Sequence, residues 1–439
     1  MNCIEDYLRQ WAEKKTAKTA VICGDESITY GQLWQQVVGR AHEFKQQEGH
    51  AVIIRSSQSI DFLTSYFAAH KAGKAIAPLE ADCSDDKFSS IRQEILHCAI
   101  PSNVADILYT TGTTGQQKGI MLSHGAIMAD AENLIHAMQF SEGLLFIVSG
   151  PLNHIGSLSK IWPTIVVGAT LCITSGLKDM NTFLSAFRLP YNQIATFLVP
   201  ASIRMLLQFA HKELIQLGDR IDFIETGAAP MVQADMEALC RLLPHTRLYN
   251  TYASTETGII CTHNYNSDYC LAGCLGRPMM HSHIFITPKG NVACQGDTLM
   301  EGYVGDEELT RSVLQEGILF TTDCGHIDKH GLLHLTGRQG DIINVGGYKV
   351  NPTEVENAAL SHPAVADCIC TAAPHPVLGT ALRLFVVPKD DNAISKKDLA
   401  AYLTKKLEHY QVPQLYTITD HIERTYNDKL NRKFYQTNI

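Results

Sequence analysis

The stretch from Asp106 to Gly119 carries the residues best suited to chemistry. A short apolar run, Ile107-Leu108-Tyr109, leads into Thr110-Thr111-Gly112-Thr113-Thr114-Gly115, then Gln116, Gln117, Lys118 and Gly119. Such a loop can wrap a polyphosphate: glycines let backbone N–H groups close on anionic oxygens, threonine hydroxyls add donors, and Lys118 supplies a point charge. It is not a Walker A loop, because Lys118 follows Gln117 and precedes Gly119, which breaks the Gly-Lys-Ser/Thr spacing. A loop rich in Thr and Gly is also an ordinary solvated turn. The rest of the chain has to decide between them.

Positioning such a loop takes a folded core, and 439 residues with 45% hydrophobic and 18% charged side chains can supply more than one. The formal charge of −9 gives no electrostatic footprint for nucleic acid, and basic residues gather only in the modest Lys429 to Lys433 tail. The first fifteen residues mix Glu5, Asp6, Arg9 and Glu13 with apolar residues at helical spacing, unlike a signal peptide. The longest apolar run, Ile161 to Ile173, is too short for a bilayer and holds Pro163 and Gly168. These features predict a cytoplasmic protein without a membrane span. The 13 cysteines fit reduced thiols better than a disulfide framework. Neither Cys261, Cys270 and Cys274 nor Cys368 and Cys370 have zinc spacing.

Short β-rich segments at 51–54, 75–79, 145–148, 170–173, 196–199 and 223–225 alternate with amphipathic stretches at 31–44, 59–72, 125–138 and 231–243. That alternation predicts an α/β fold with largely parallel sheets covered on both faces. After Cys274, strands at 282–288, 290–293, 319–322 and 332–335 separated by Gly, Asp and His turns predict a smaller β-rich unit. Gly337-Arg338-Gln339-Gly340-Asp341 reads as a linker. Beyond it a hairpin over 342–350, helices from Pro352 and Ser395, and strands near 366–372 and 382–387 predict an α+β domain of about one hundred residues.

In order and spacing, several separated segments resemble the adenylate-forming superfamily of acyl-CoA and aryl-CoA synthetases, stand-alone adenylation domains and luciferases. The resemblance runs from Thr29-Tyr30 to the Lys429 tail. It implies that the threonine-glycine loop holds the β- and γ-phosphates of ATP, with Gln117 where a proline is usual. Gly227-Ala228-Ala229-Pro230 resembles the adenine-side loop, and Tyr252 the aromatic that stacks on adenine. Within Ser254-Thr255-Glu256-Thr257-Gly258, the resemblance gives Thr255 the α-phosphate and Glu256 a role in holding Mg2+, a hard cation that wants oxygen ligands. Asp323 in Thr321-Thr322-Asp323 matches the aspartate on the ribose hydroxyls, and Arg338 the arginine that reaches ribose or phosphate. Lys429, within Arg424 to Arg432, matches the lysine that bridges carboxylate and α-phosphate during adenylation. Its use there is electrostatic.

On the acid side, the run Gly150 to Leu158 resembles the acyl- and aryl-CoA synthetase version, with His154 lining the carboxylate site. Amino-acid activators commonly carry an aspartate where this chain has Ile155. Without that acid a substrate ammonium would be buried unpaired at a cost of several kcal/mol, so the expected substrate is a carboxylic acid with an uncharged tail. Ala253, where glycine is usual, adds a methyl at the pocket wall. Gly340 stands at the hinge position, usually Asp or Lys, and Gly346-Gly347-Tyr348 matches the loop that meets pantetheine. The stretch from Glu80 to Asn103 is shorter than the family's usual insert, which predicts a trimmed N-terminal lobe.

The resemblance therefore implies a large N-terminal domain of two αβ sheets plus a small β-rich subdomain over residues 1–337, a hinge at 338–341, and a small mobile α+β C-terminal domain over 342–439. It implies ATP-dependent formation of an acyl-adenylate followed by thioester formation with coenzyme A. A close alternative acceptor is the phosphopantetheine arm of an acyl carrier protein. o-Succinylbenzoate is one candidate acid among aryl and medium-chain acids, a second copy of the chain is an allowed partner, and a non-catalytic nucleotide-binding regulator ranks low.

Overall fold

The structure, a computed structural model, describes residues 3–111, 117–267, 271, 273–376, 379–389, 394–424 and 430–437. Gly112 to Gln116 and Thr425 to Lys429 lie outside the described residues, and so does Cys270.

Two sheets build most of the molecule. The smaller has five strands in the order Gly302–Tyr303, Gln117–Ser123, Val104–Thr111, Ala75–Leu79 and Ala51–Arg55. Its last three strands are parallel, and Val104–Thr111 turns back antiparallel into Gln117–Ser123. The larger sheet is centred on five parallel strands, Thr170–Ile173, Leu144–Val148, Gln193–Leu198, Ile221–Thr226 and Arg247–Ser254. All five residues of Leu144–Val148 are buried, as a strand with helices on both faces requires.

Helices Ile60–Lys71, His124–Met138 and Ile155–Val166 fill the space against one face of the larger sheet, where Tyr66, Leu134, Phe146, Leu158 and Trp162 share a core. A second core, with Phe183, Phe187, Leu206, Met236 and Leu239, covers the opposite face. Serine or threonine caps start several of these helices. Ser59 accepts from the Phe62 N–H and Ser123 from the Ala126 N–H, each satisfying a donor that the first turn leaves free.

The β-rich segment after Cys274 is not a separate sheet. Strands Ser282–Ile286, Asn291–Gly296, Ile318–Ile327 and Leu333–Arg338 join Cys274–Pro278, which pairs in turn with Gly258–Asn264 of the large sheet. Gly276 makes the join possible. Its φ is +81°, and a Cβ there would lie 1.8 Å from the Thr262 carbonyl oxygen.

Past Arg338 a hairpin, Ile343–Val345 with Tyr348–Val350, precedes a three-stranded sheet of Val365–His375, Gly379–Pro388 and Leu415–Ile418. Gly346 and Gly347 form its turn with φ of 56° and 93°, the paired positive values that suit a two-residue hairpin. This region has its own core around Val350, Val355, Leu382, Leu384 and Leu399. Asp367, which takes Arg424 of the same region at 2.6 Å, also reaches Arg204 of the rest at 3.5 Å, while Arg204 holds Asp235 at 2.8 Å.

Candidate functional site

The antiparallel pair around the threonine-glycine loop sets Thr110 opposite Lys118 and Thr111 opposite Gln117. The two strands therefore deliver both ends of the loop to one place. Gly119 is required there, because a Cβ would come 2.9 Å from the Tyr109 ring and 3.0 Å from Val304.

Strand Arg247–Ser254 brings Tyr252 and Ala253 up beside that place, with a register shift between the two residues. A bulge of this kind re-aims neighbouring side chains. The following turn is stitched by its own hydroxyls: Ser254 N–H donates to Thr257 Oγ1 at 2.9 Å, and Thr257 N–H donates to Ser254 Oγ at 3.1 Å. Gly258, with φ +68°, closes it against the Asp130 carboxylate, which a Cβ would meet at 2.7 Å. Burial pushes the Asp130 carboxyl up to about 8 although it accepts the Ile259 N–H. Within the turn Thr255 is buried and Glu256 half-buried.

One residue that the motifs do not mark ties this turn to the loop. Tyr303 pairs with Ile120 in the smaller sheet, donates its hydroxyl to Glu256 Oε1 at 3.1 Å, and carries Lys118 Nζ 5.3 Å from its ring centroid. The backbone repeats the connection, since Met300 N–H donates to the Glu256 carbonyl and Val304 N–H to the Gly119 carbonyl. Burial and the Glu256 charge push the Tyr303 phenol up, so it stays a donor.

Asp323 and Arg338 are cross-strand partners. Arg338 Nε donates to Asp323 Oδ1 at 2.6 Å, and the Tyr252 hydroxyl donates to Asp323 Oδ2 at 2.7 Å. Burial and the adjacent Asp323 hold the Tyr252 phenol well above its ordinary range. Three of the residues marked in the sequence thus meet in one hydrogen-bonded group. Gly227 begins the neighbouring loop after Ile221–Thr226. A Cβ there would come 2.8 Å from Thr251 Oγ1, and Ala228 takes an unusual φ of +67°. Ala229 is half-buried and Pro230 exposed in the same loop.

On the acid side, His154 is the residue before helix Ile155–Val166, and its carbonyl accepts from Leu158 N–H at 2.8 Å. Ile155, Ala253 and Phe197 pack partly buried against the same core. A Cβ at Gly150 would lie 2.3 Å from Ser157 Oγ and would force that hydroxyl to turn away. The hairpin glycines 346 and 347 are exposed, and a Cβ at Gly340 or Gly347 would meet nothing within 4 Å. The structure therefore brings Lys118 and Glu256 together through Tyr303, joins Tyr252, Asp323 and Arg338 in a second group, and leaves the Gly346-Gly347 turn open to solvent. Gly112, Thr113, Thr114, Gly115 and Lys429 lie outside the described residues. Arg432, three residues past Lys429, is held by Glu356 at 2.6 and 2.8 Å and stands 3.7 Å from Asp341 beside Gly340.

Two buried polar groups also escaped the motifs. Asp106 takes His70 Nε2 at 2.9 Å and the Tyr66 hydroxyl at 2.9 Å, and Tyr66 accepts from Trp162 Nε1 at 2.9 Å. Burial alone would lower the His70 imidazole, but Asp106 and Glu5 outweigh it and hold it up to about 10. The group links the strand that enters the loop to the helix behind His154. The second is an ion pair, Lys160 to Glu225 at 2.6 Å, with both side chains 1% exposed. The signal for it was Lys160, the lone charge in an apolar helix.

A family model described as AMP-binding enzyme matches residues 8–95 and 84–304, and one described as AMP-binding enzyme C-terminal domain matches 354–429. The chain is similar to 2-succinylbenzoate–CoA ligase of Bacillus cereus, 28% identical over an alignment of 485 positions, gaps included, that covers 99% of this chain and 98% of that protein. It is 26% identical over 353 residues to 4-coumarate–CoA ligase-like 6 of Arabidopsis thaliana, covering 75% of this chain and 62% of that protein. The solved structure of ATP-bound MatB from Rhodopseudomonas palustris matches with a TM-score of 0.88 at 20% identity, covering 99% of both chains, which is a likeness of fold. Among the described residues no helix is long and apolar enough to cross a membrane.

Proposed function

Since the chain belongs to the AMP-binding enzyme family, we propose that it joins a carboxylic acid to a thiol in two steps at the group built around Lys118, Glu256 and Asp323. It is an AMP-forming acid–CoA ligase, using ATP and coenzyme A. In the first step a carboxylate oxygen attacks the α-phosphorus of ATP, the bond to the bridging β-oxygen breaks, and pyrophosphate leaves. In the second, the thiolate attacks the acyl carbon and AMP leaves with the carboxylate oxygen that entered it. No side chain forms a covalent intermediate, so positioning and charge supply most of the rate.

The observation that carries this reading is the Lys118–Tyr303–Glu256 series, which holds a cation over one aromatic ring and a carboxylate at its hydroxyl. Lys118 with Thr110, Thr111 and the rest of the loop hold the departing pyrophosphate. Thr255 meets the α-phosphate, while Tyr252, Asp323, Arg338 and the Gly227 to Pro230 loop take adenosine. Glu256 fits Mg2+, which binds through one or two carboxylates with phosphate oxygens and water completing its shell; when bound, it offsets charge on the pyrophosphate. His154, Ile155 and Ala253 border the acid, and Lys429 acts at the reacting centre. Residues 338–341 are the hinge between the 1–337 domain and the mobile 342–439 domain, which presents Gly346-Gly347 to the thiol in the second step. The protein works in the cytoplasm on a carboxylic acid with an uncharged tail.

The test is ATP–pyrophosphate exchange over aryl, aliphatic and amino acids, followed by mass analysis of thioester with coenzyme A. Acid-dependent exchange that Lys429→Ala lowers by roughly 100-fold or more, the scale of one transition-state charge contact, supports the reading. Exchange with amino acids alone contradicts the uncharged-tail acid, and exchange with no acid contradicts the enzyme.

A further inference from the structure

We propose that Glu225, held by Lys160, is the recognition point for a hydroxyl on the tail of the acid, so that this enzyme selects neutral hydroxy-carboxylic acids. The inference rests on the two-step reading above and deepens it.

The strand register places Glu225 on the acid side. Glu225 pairs with Phe197 across one strand boundary and with Tyr249 across the other, and Thr226 pairs with Asn250. Side chains two residues apart share a face, so the rung above Glu225 on this face is Gly227 beside Thr251. Phe197, Ala253 and Ile155 pack against the same core. Helix Ile155–Val166 covers the face, and its Lys160 reaches Glu225 Oε1 at 2.6 Å while standing 5.1 Å from the Phe197 ring centroid.

Two glycines stand close to Phe197 and Thr251, the neighbours of Glu225 on this face. A Cβ at Gly156 would come 3.2 Å from the Phe197 ring, and one at Gly227 would lie 2.8 Å from Thr251 Oγ1 and 3.7 Å from Phe197. Glu225 therefore sits one rung below the adenine-side loop and roughly one helical turn below Gly156.

The chemistry follows from what Glu225 lacks. Oε1 accepts from both Lys160 and Thr251 Oγ1, the latter at 3.0 Å, but Oε2 is buried without a hydrogen-bond partner. A buried carboxylate oxygen left alone is costly, and such groups normally find a donor. Because Lys160 already balances the charge, a cationic or anionic tail would bring an uncompensated charge into the site. A hydroxyl donates one hydrogen bond and brings no charge. Sites built to bond a substrate hydroxyl discriminate strongly against the analogue that lacks it.

The experiment uses matched acids in ATP–pyrophosphate exchange: 3-(4-hydroxyphenyl)propionic against 3-phenylpropionic acid, and 6-hydroxyhexanoic against hexanoic acid. The wild type is expected to prefer the hydroxylated member of at least one pair by roughly 10- to 100-fold in kcat/KM, the effect of one hydrogen bond to a buried carboxylate. The double variant Lys160→Met with Glu225→Leu replaces the pair by apolar side chains, a change buried ion pairs often tolerate. It should lose the preference while keeping exchange with the hydrogen-terminated acids. Equal rates for both members of both pairs in the wild type overturn the inference and leave the two-step reading standing. Exchange with no acid in this panel or the wider one overturns both. Should the double variant fail to fold, thermal shifts of the wild type with each acid decide, and equal stabilisation by both members of both pairs overturns the inference.

Discussion

Replacing Tyr303 by phenylalanine removes one atom from the Lys118–Tyr303–Glu256 series and leaves the rest. The lost hydroxyl donates to Glu256 at 3.1 Å, and the ring stays beneath Lys118 Nζ. A hydrogen bond from a neutral donor to a charged acceptor contributes about 1.5 to 3 kcal/mol. Tyr303 is only 7% exposed, so water does little to replace it, but Glu256 is half-buried and recovers part of its solvation, which favours the lower end. At about 1.4 kcal/mol per decade, the expected loss is roughly tenfold in kcat/KM for ATP in pyrophosphate exchange. If Glu256 holds Mg2+, the variant should also need more magnesium for half-maximal rate. Tyr303→Leu removes the ring as well and should lose a further ~0.5 to 1 kcal/mol of cation–π attraction at Lys118. A phenylalanine variant with wild-type rate and wild-type magnesium dependence would show that Tyr303 only packs the small sheet against the turn, and the electrostatic account of this series would fall.

Three further outcomes follow from the geometry. Asp323→Asn keeps the volume but removes the charge that accepts from Tyr252 and Arg338, so the KM for ATP should rise roughly 10- to 100-fold with little change in saturating exchange rate, read by steady-state kinetics. Gly340→Pro fixes φ and removes an N–H at a position where a Cβ meets no neighbour; exchange should survive and thioester formation should fall, whereas full thioester activity would refute the hinge. His70 binds its proton up to about 10 in the fold against about 6.5 when exposed. The native state then holds more protons than the unfolded one between those values. Stability should be fully present below about pH 6.5 and fall as pH rises towards 10, by up to ~1.4 kcal/mol per unit, and His70→Gln should flatten that slope in urea melts.

Much of this was legible because local rules and tertiary packing agree. Strand Ala75–Leu79 ends where its apolar run ends, and the paired glycines 346 and 347 read as the hairpin turn they form. Tyr252, Asp323 and Arg338 were marked by the motifs that contain them, and the strand pairing of Asp323 with Arg338 brings two of these motifs into contact. What stayed hidden depends on contacts across long stretches of chain. Tyr303 lies 47 residues from Glu256, and Lys160 lies 65 from Glu225, so nothing near either residue names its partner. The strands of the smaller β-rich unit were legible from the Gly, Asp and His turns between them. Its union with the large sheet turns on the close approach at Gly276, which only the folded backbone reveals.

The central claim is that the acid's oxygen passes through an acyl-adenylate. The direct measurement is single-turnover ligation of an 18O-carboxylate acid with ATP and coenzyme A, followed by mass spectrometry of all products. One labelled oxygen per turnover should appear in the phosphate of AMP, with none in pyrophosphate. Label in pyrophosphate or inorganic phosphate, or formation of ADP in place of AMP, would contradict it.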